Sequence, residues 1–180
     1  MSAAISPPIT VEQYQRFEGY PGLKDELING QIVLSPQPKP LHQQITKNIG
    51  RLLDAAVQGQ GYTAQQNSNI RFGNANMPSP DVFVITKNEW NLACESDEYI
   101  SSAPFLVVEV LSRANRKKRV EEKVKLYLSQ NVKEVWLIRP KRKTLEVIRQ
   151  DRRAFARDRI ALPAPLEGLL EVASFFTPEI

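Results

Sequence analysis

The chain has 180 residues, 42% of them apolar, enough to bury the core of one ordinary domain, so a single domain over 1–180 is expected. Its one cysteine, Cys94, excludes an intramolecular disulfide or a cysteine-based zinc cluster, and no segment approaches the roughly 18 apolar residues of a membrane span. The net charge of +4 is uneven, because residues 113–153 hold 15 of the 24 Lys and Arg against 5 of the 20 acids.

The start MSAAISPPIT has no basic stretch followed by an apolar one, so a soluble, cytoplasmic protein with no membrane partner is expected. Residues 1–9 read as a loose tail. Thr10 with Gln13 has the form of a capping box and predicts a short helix to about Phe17. Asp25 to Ile28 and Gln31 to Leu34 flank Asn29-Gly30, a dipeptide suited to a tight type I′ turn, which predicts a β-hairpin. The proline-studded stretch from Ser35 to Pro40 leads into a periodic segment with Leu41, Ile45, Ile49, Leu52, Leu53, Ala56 and Val57 on one face. That pattern predicts a helix ending near Gly59 and Gly61.

Tyr62 to Gln66 and Asn69 to Phe72 are short strand candidates. After Pro78-Ser79-Pro80, Asp81 opens the apolar run Val82 to Ile85, and a variable stretch containing Trp90 follows. Phe105 to Leu111 reads as a strand covered on both faces. Asn115 is the expected cap of a helix to about Ser129 with the stripe Val120, Val124, Tyr127 and Leu128. Glu134 to Arg139 is the next strand, and the order strand, helix, strand implies a parallel crossover. Lys141 to Thr144 reads as a turn into the strand Leu145 to Arg149, and the remainder as edge strand and loop. Trp136, inside an apolar strand, is expected in the core.

Glu109 is the most informative residue. An ionised carboxylate within a buried apolar strand is costly unless a cation, a metal or hydrogen bonds compensate it. An arginine partner would satisfy it structurally. Asp81, at the edge of another apolar strand, suggests instead two acids side by side, a pair that holds a hard cation such as Mg²⁺ or Mn²⁺ when both are ionised. His42 is the only histidine, which excludes a two-histidine metal site within one chain. In the first turn of its helix it could contact a phosphate or water, or serve as an ordinary surface or capping residue. Glu26 could add a third carboxylate, or be a solvated acid beside the turn. The basic segment is a footprint for a polyanion on one reading and a solvated helix face on another.

Asp25-Glu26-Leu27-Ile28-Asn29-Gly30, the helix from His42, Pro80-Asp81-Val82-Phe83-Val84, Pro104 to Ser112, Lys123 with Tyr127, and Val132 to Trp136 occur in this order. In these stretches the chain resembles the PD-(D/E)XK restriction-endonuclease-like superfamily and, within it, the Uma-two family of bacterial endonucleases. The resemblance implies an α/β fold: a restriction-endonuclease-like core with a central mixed β-sheet flanked by helices, plus the N-terminal helix and hairpin. It implies that Asp81 and Glu109 ligate Mg²⁺ or Mn²⁺, with the backbone carbonyl of Val110, to hydrolyse phosphodiester bonds in DNA. The lysine of the motif is absent, since Leu111 stands two after Glu109. The resemblance implies a migrated lysine, Lys123, accompanied by Tyr127. Glu26 and His42, candidates by residue type and position rather than by the resemblance, are the other candidate accessory residues. Arg119 stands where the family often has an acid.

Helical periodicity puts Lys123 about 40° from Tyr127 at one border of the apolar stripe and Lys125 at the other. Arg116 extends the Lys123 border, and Arg116, Lys117 and Arg119 are the expected nucleic-acid contacts. A homodimer is compatible with two-strand cleavage. The competing reading is a catalytically silent nucleic-acid-binding or protein-interaction module on the same fold.

Overall fold

The computed structural model describes residues 7–112 and 115–177, so residues 1–6 of the expected tail and Arg113 at the head of the basic segment lie outside the described residues. The capping box forms as read, with Thr10 Oγ1 accepting from the Gln13 N–H and Gln13 Oε1 from the Thr10 N–H, and helix α1 runs Val11–Gln15. Strands β1 (Leu23–Ile28) and β2 (Gln31–Pro36) enclose Asn29 and Gly30 at φ 51° and 72°, the left-handed pair a type I′ turn requires. Pro8 and Ile9, expected in the loose tail, are tied to this turn. The Ile9 N–H donates to the Gly30 carbonyl at 2.9 Å, and a Cβ on Gly30 would lie 2.5 Å from Pro8 Cβ.

Helix α2 (Pro40–Ala56) begins with Pro40 at its first position, where the missing N–H has no intrahelical partner to lose. Strand β3 (Tyr62–Gln66) follows. Asn69–Phe72, expected as a strand, makes only isolated bridges, Ile70 with Ile100 and Phe72 with Asn76. A tight turn at Gly73 (φ 63°) folds Phe72 back on Asn76 before a ladder can extend. Strand β4 (Val82–Thr86) runs directly into α3 (Lys87–Ser96), capped by Thr86, whose hydroxyl accepts from the Glu89 N–H. This helix was not expected. It buries no residue fully, so the apolar periodicity by which helices are recognised is missing.

Strand β5 (Leu106–Val110), helix α4 (Lys117–Ser129) and strand β6 (Glu134–Arg139) form the expected crossover, with β5 and β6 parallel. The cap of α4 is Arg116 rather than Asn115. Asn115 Oδ1 instead accepts from the Ser112 N–H at 2.5 Å. A single 3-10 turn (Pro140–Arg142) leads to β7 (Thr144–Ile148) and the edge strand β8 (Arg153–Ala156). Strands β9 (Arg159–Ala161) and β10 (Leu169–Glu171) pair separately, and a 3-10 helix (Val172–Phe176) follows.

The central sheet has the order β3-β4-β5-β6-β7-β8 and is antiparallel except at β5/β6, the mixed sheet expected. Alternation decides its two faces. Leu106, Val108 and Val110 pack with Ile45, Ile49 and Leu53 of α2, and with Trp136, which is fully buried and stacked on Phe175. Val107 faces the other way, into the layer with Val124 and Tyr127 of α4. A satellite core of Val11, Tyr14, Leu27 and Met77 fastens the hairpin, and Leu27 and Met77 exchange backbone hydrogen bonds. The hairpin is thereby laid beside the Pro78–Pro80 approach to β4.

Replacing Gly30 tests that fastening. Gly30→Ala meets both a left-handed φ and Pro8, and is expected to lower stability by about 1–2 kcal/mol in urea unfolding. An unchanged midpoint would show that the turn is not held against Pro8.

Candidate active site

Asp81 stands one residue before β4, and the antiparallel register that sets Val82 opposite Val108 brings it beside Glu109. Their neighbours Phe83 and Val107 face the α4 layer, so by the period of two both carboxylates lie on that face as well. The expected juxtaposition is therefore made by antiparallel neighbours. Asp81 is buried and its Oδ2 accepts the Val110 N–H at 2.7 Å. His42 Nε2 lies 3.2 Å from the same oxygen, and its Nδ1 lies 3.4 Å from the Thr46 hydroxyl.

Lys123 reaches the other carboxylates from α4. Its ammonium is 2.7 Å from Glu109 Oε1 and donates to Glu26 Oε1 and Oε2 at 2.8 and 3.1 Å. Tyr127, one turn further along α4, donates its hydroxyl to Glu109 Oε1 at 2.6 Å. Val124 and Tyr127 are buried and Lys125 is exposed, so the Lys123 border of the stripe is the one facing the site. Glu26, for which a solvated place was the simpler expectation, is buried and also accepts from the Ser79 N–H at 2.7 Å. His42 likewise occupies the site rather than the surface.

Lys24 was not anticipated. Its ammonium donates to the Ser79 carbonyl at 2.9 Å and lies 3.9 Å from Asp81 Oδ1. The signal was present in the hairpin, where residues 24 and 26 share one face. Arg116, Lys117 and Arg119 are exposed at the start of α4, and Arg119 is paired with Glu122 at 2.8 Å.

The electrostatics follow from three carboxylates gathered out of water. Burial pushes the Glu109 carboxyl above its usual range and the charges of Asp81 and Glu26 add to the rise, against the pull of Lys123. Burial acts the same way on Asp81, but His42, Lys24 and the Val110 N–H overcome it and hold the group below its usual value. Burial disfavours the charged forms of Lys123 and His42, yet their carboxylate partners raise both. Tyr127 is raised well above its usual value by burial and by Glu109, so it remains a donor.

A hard divalent cation fits this donor set. Among the described residues neither Asp81 Oδ1 nor Glu109 Oε2 accepts a hydrogen bond, and the Lys24 ammonium lies 3.9 Å from Asp81 Oδ1. The Glu109 side chain keeps 13% of its surface exposed, so solvent reaches it. No group of three or more His, Cys, Asp and Glu side chains among the described residues could hold a metal ion, so two carboxylates would supply the side-chain donors.

A family model, Uma2, described as "Putative restriction endonuclease", matches residues 11–174, a span that includes every residue of the site. The fold is similar to that of a crystal structure described as "a putative nuclease belonging to DUF820 from Anabaena variabilis ATCC 29413". That comparison has a TM-score of 0.76 and 23% identity, over 94% of this chain and 98% of the other. No curated protein matches the chain. No helix among the described residues is long and apolar enough to cross a membrane.

Removing the central cation should be costly. Lys123→Met leaves Glu26 and Glu109 facing one another, and a fall of about 3–5 kcal/mol in metal-free unfolding is expected, against less than about 0.5 kcal/mol for Lys125→Met on the exposed side. Equal effects of the two would contradict the arrangement.

Proposed function

The chain belongs to the Uma2 family, and from that membership and the geometry of the site we propose that it is a metal-dependent endonuclease hydrolysing phosphodiester bonds in DNA. The observation that carries this reading is the convergence of Asp81, Glu109 and Lys123 at one place, from β4, β5 and α4. Leu111, where the motif would have its lysine, is half-buried against the α4 layer. Lys123 supplies from the helix the charge that this position lacks.

Asp81 and Glu109 would hold Mg²⁺ or Mn²⁺, assisted by the carbonyl of Val110. When bound, such an ion polarises a phosphate and lowers the pKa of water. Glu26 and Glu109 hold Lys123, whose ammonium also lies 5.9 Å over the Tyr127 ring, so it is oriented before substrate arrives. From there it would orient the attacking water and stabilise negative charge on the phosphoryl oxygens. Tyr127 and Lys123 both engage Oε1 of Glu109, so the carboxylate that would hold such an ion is fixed in direction. His42 holds Asp81, which makes it a positioning group for that donor.

A second reading is favoured by one observation: Lys123, His42 and Lys24 already compensate the acids, as in a silent site using protein cations. Metal binding separates the two. Calorimetric titration with Mn²⁺ should show binding by the wild type and its loss in Asp81→Ala and Glu109→Ala. Cleavage of plasmid DNA should require Mg²⁺ or Mn²⁺ and fall roughly 100-fold or more in Asp81→Ala, Glu109→Ala and Lys123→Ala, with circular dichroism unchanged. Turnover near wild type in any of these variants would overturn that residue's role, and absence of metal binding would favour the silent module.

A further inference from the structure

Two adjoining hollows of about 580 and 380 Å³ share Lys143 and Arg157 at the end of the sheet beside β8. Arg139 and Arg142 complete a lining that contains four cations and no carboxylate, with Phe155 in one hollow and Phe176 in the other. Arg139 is paired with Glu146 at 2.7 Å, whereas no carboxylate among the described residues pairs with Arg142, Lys143 or Arg157. Phe155 is 63% exposed, a large apolar ring left in water amid positive charge.

The register ties the Phe155 hollow to the site, while Val172 and Phe176 of the other hollow belong to the α2 face of the sheet. Glu109 pairs with Leu137, Leu137 with Glu146, and Glu146 with Phe155, so Glu109 and Phe155 occupy one rung of the sheet. Cross-strand partners point to the same face. β8 is three strands from β5, about 15 Å at the usual spacing of about 4.8 Å. Lys143 adds a backbone observation. It holds φ 48° after the Pro140–Arg142 turn, in the left-handed region where glycine is relaxed and lysine is not.

We infer that this groove binds an unpaired stretch of nucleic acid flanking the phosphodiester site, with its phosphates on Arg142, Lys143 and Arg157 and a base stacked on Phe155. The choice of nucleic acid over other polyanions rests on the nuclease reading of the site. Charge complementarity argues against a second copy of the chain seated on β8, since two such basic edges repel. Stacking on an aromatic ring is tolerant of sequence and needs an unpaired base, so the groove selects substrates with single-stranded tails over blunt duplexes.

The test is binding rather than cleavage: fluorescence anisotropy in EDTA with a blunt duplex and the same duplex bearing a single-stranded tail, at two salt concentrations. Wild type should bind the tailed duplex more tightly, and Phe155→Ala should lose roughly 10-fold on that duplex alone. Lys143→Gly should weaken both duplexes, lower the salt slope by about one, and leave thermal stability unchanged or higher. Equal affinity for the two duplexes, Phe155→Ala binding as wild type, or a wild-type dimer by light scattering that Phe155→Ala dissolves would each overturn the inference. Tail preference through Phe155 without any metal-dependent cleavage would keep this groove and remove the nuclease reading. Metal-dependent cleavage with binding of the tailed duplex indifferent to Phe155 would do the reverse.

Discussion

The placement of the Lys123 ammonium between Glu26 and Glu109 is the contact on which the rest of the site depends. Three carboxylates from the hairpin, β4 and β5 could not be drawn together out of water without positive charge among them. Lys123 provides it at hydrogen-bonding distance from two of the three. Its direction is set by ordinary packing, because burial of Val124 and Tyr127 fixes the rotation of α4. Tyr127 then serves both ends of the argument, with its ring in the core and its hydroxyl on Glu109.

The sheet topology makes that contact possible. Antiparallel pairing of β4 with β5 lets the start of one strand meet the end of the other, which sets Asp81 beside Glu109. Parallel pairing of β5 with β6 requires a crossover, and α4 is that crossover. The helix that the topology demands is the helix that returns a lysine to the strand end. The hairpin is fastened through Leu27 and Met77 to the loop before Asp81, and it adds Glu26 and Lys24 from the opposite side.

Much of this was legible in the sequence because it rests on local pattern. The capping box, the Asn-Gly turn, the α2 stripe and the apolar strands each carry their own period, and the structure realises them. Glu109 was legible for a related reason: a carboxylate in an apolar run contradicts its surroundings. Glu26, His42 and Lys24 were less so, since each sits in a locally unremarkable place and acquires its partner from a residue more than 35 positions away. Helix α3 was hidden by the lack of a buried face, and Asn69–Phe72 looked like a strand because composition does not report whether a partner edge is free.

The basic segment shows why net charge is a blunt guide. Five of its cations are held inside the fold: Arg119 by Glu122, Lys123 by the site, Arg139 by Glu146, Arg149 by the buried Glu134, and Arg153 by Glu121. Arg153 joins α4 to the edge of the sheet through Glu121 and also approaches Glu146 at 3.7 Å. The pairs of Arg119, Lys123 and Arg153 brace the helix that orients Lys123, those of Arg139 and Arg149 join β6 to β7, and all offer little attraction to a distant polyanion because their charge is already matched. Of the exposed remainder, Arg116, Lys117 and Lys118 stand at the start of α4 and Lys141, Arg142 and Lys143 at the turn before β7, while Lys125, Lys133 and Arg152 lie elsewhere. Both places lie at the end of the sheet where β5 and β6 finish, which is also where Glu109 and Val110 stand. Ion pairing within the fold thus leaves most of the unmatched charge of this segment at the end of the sheet that carries the site.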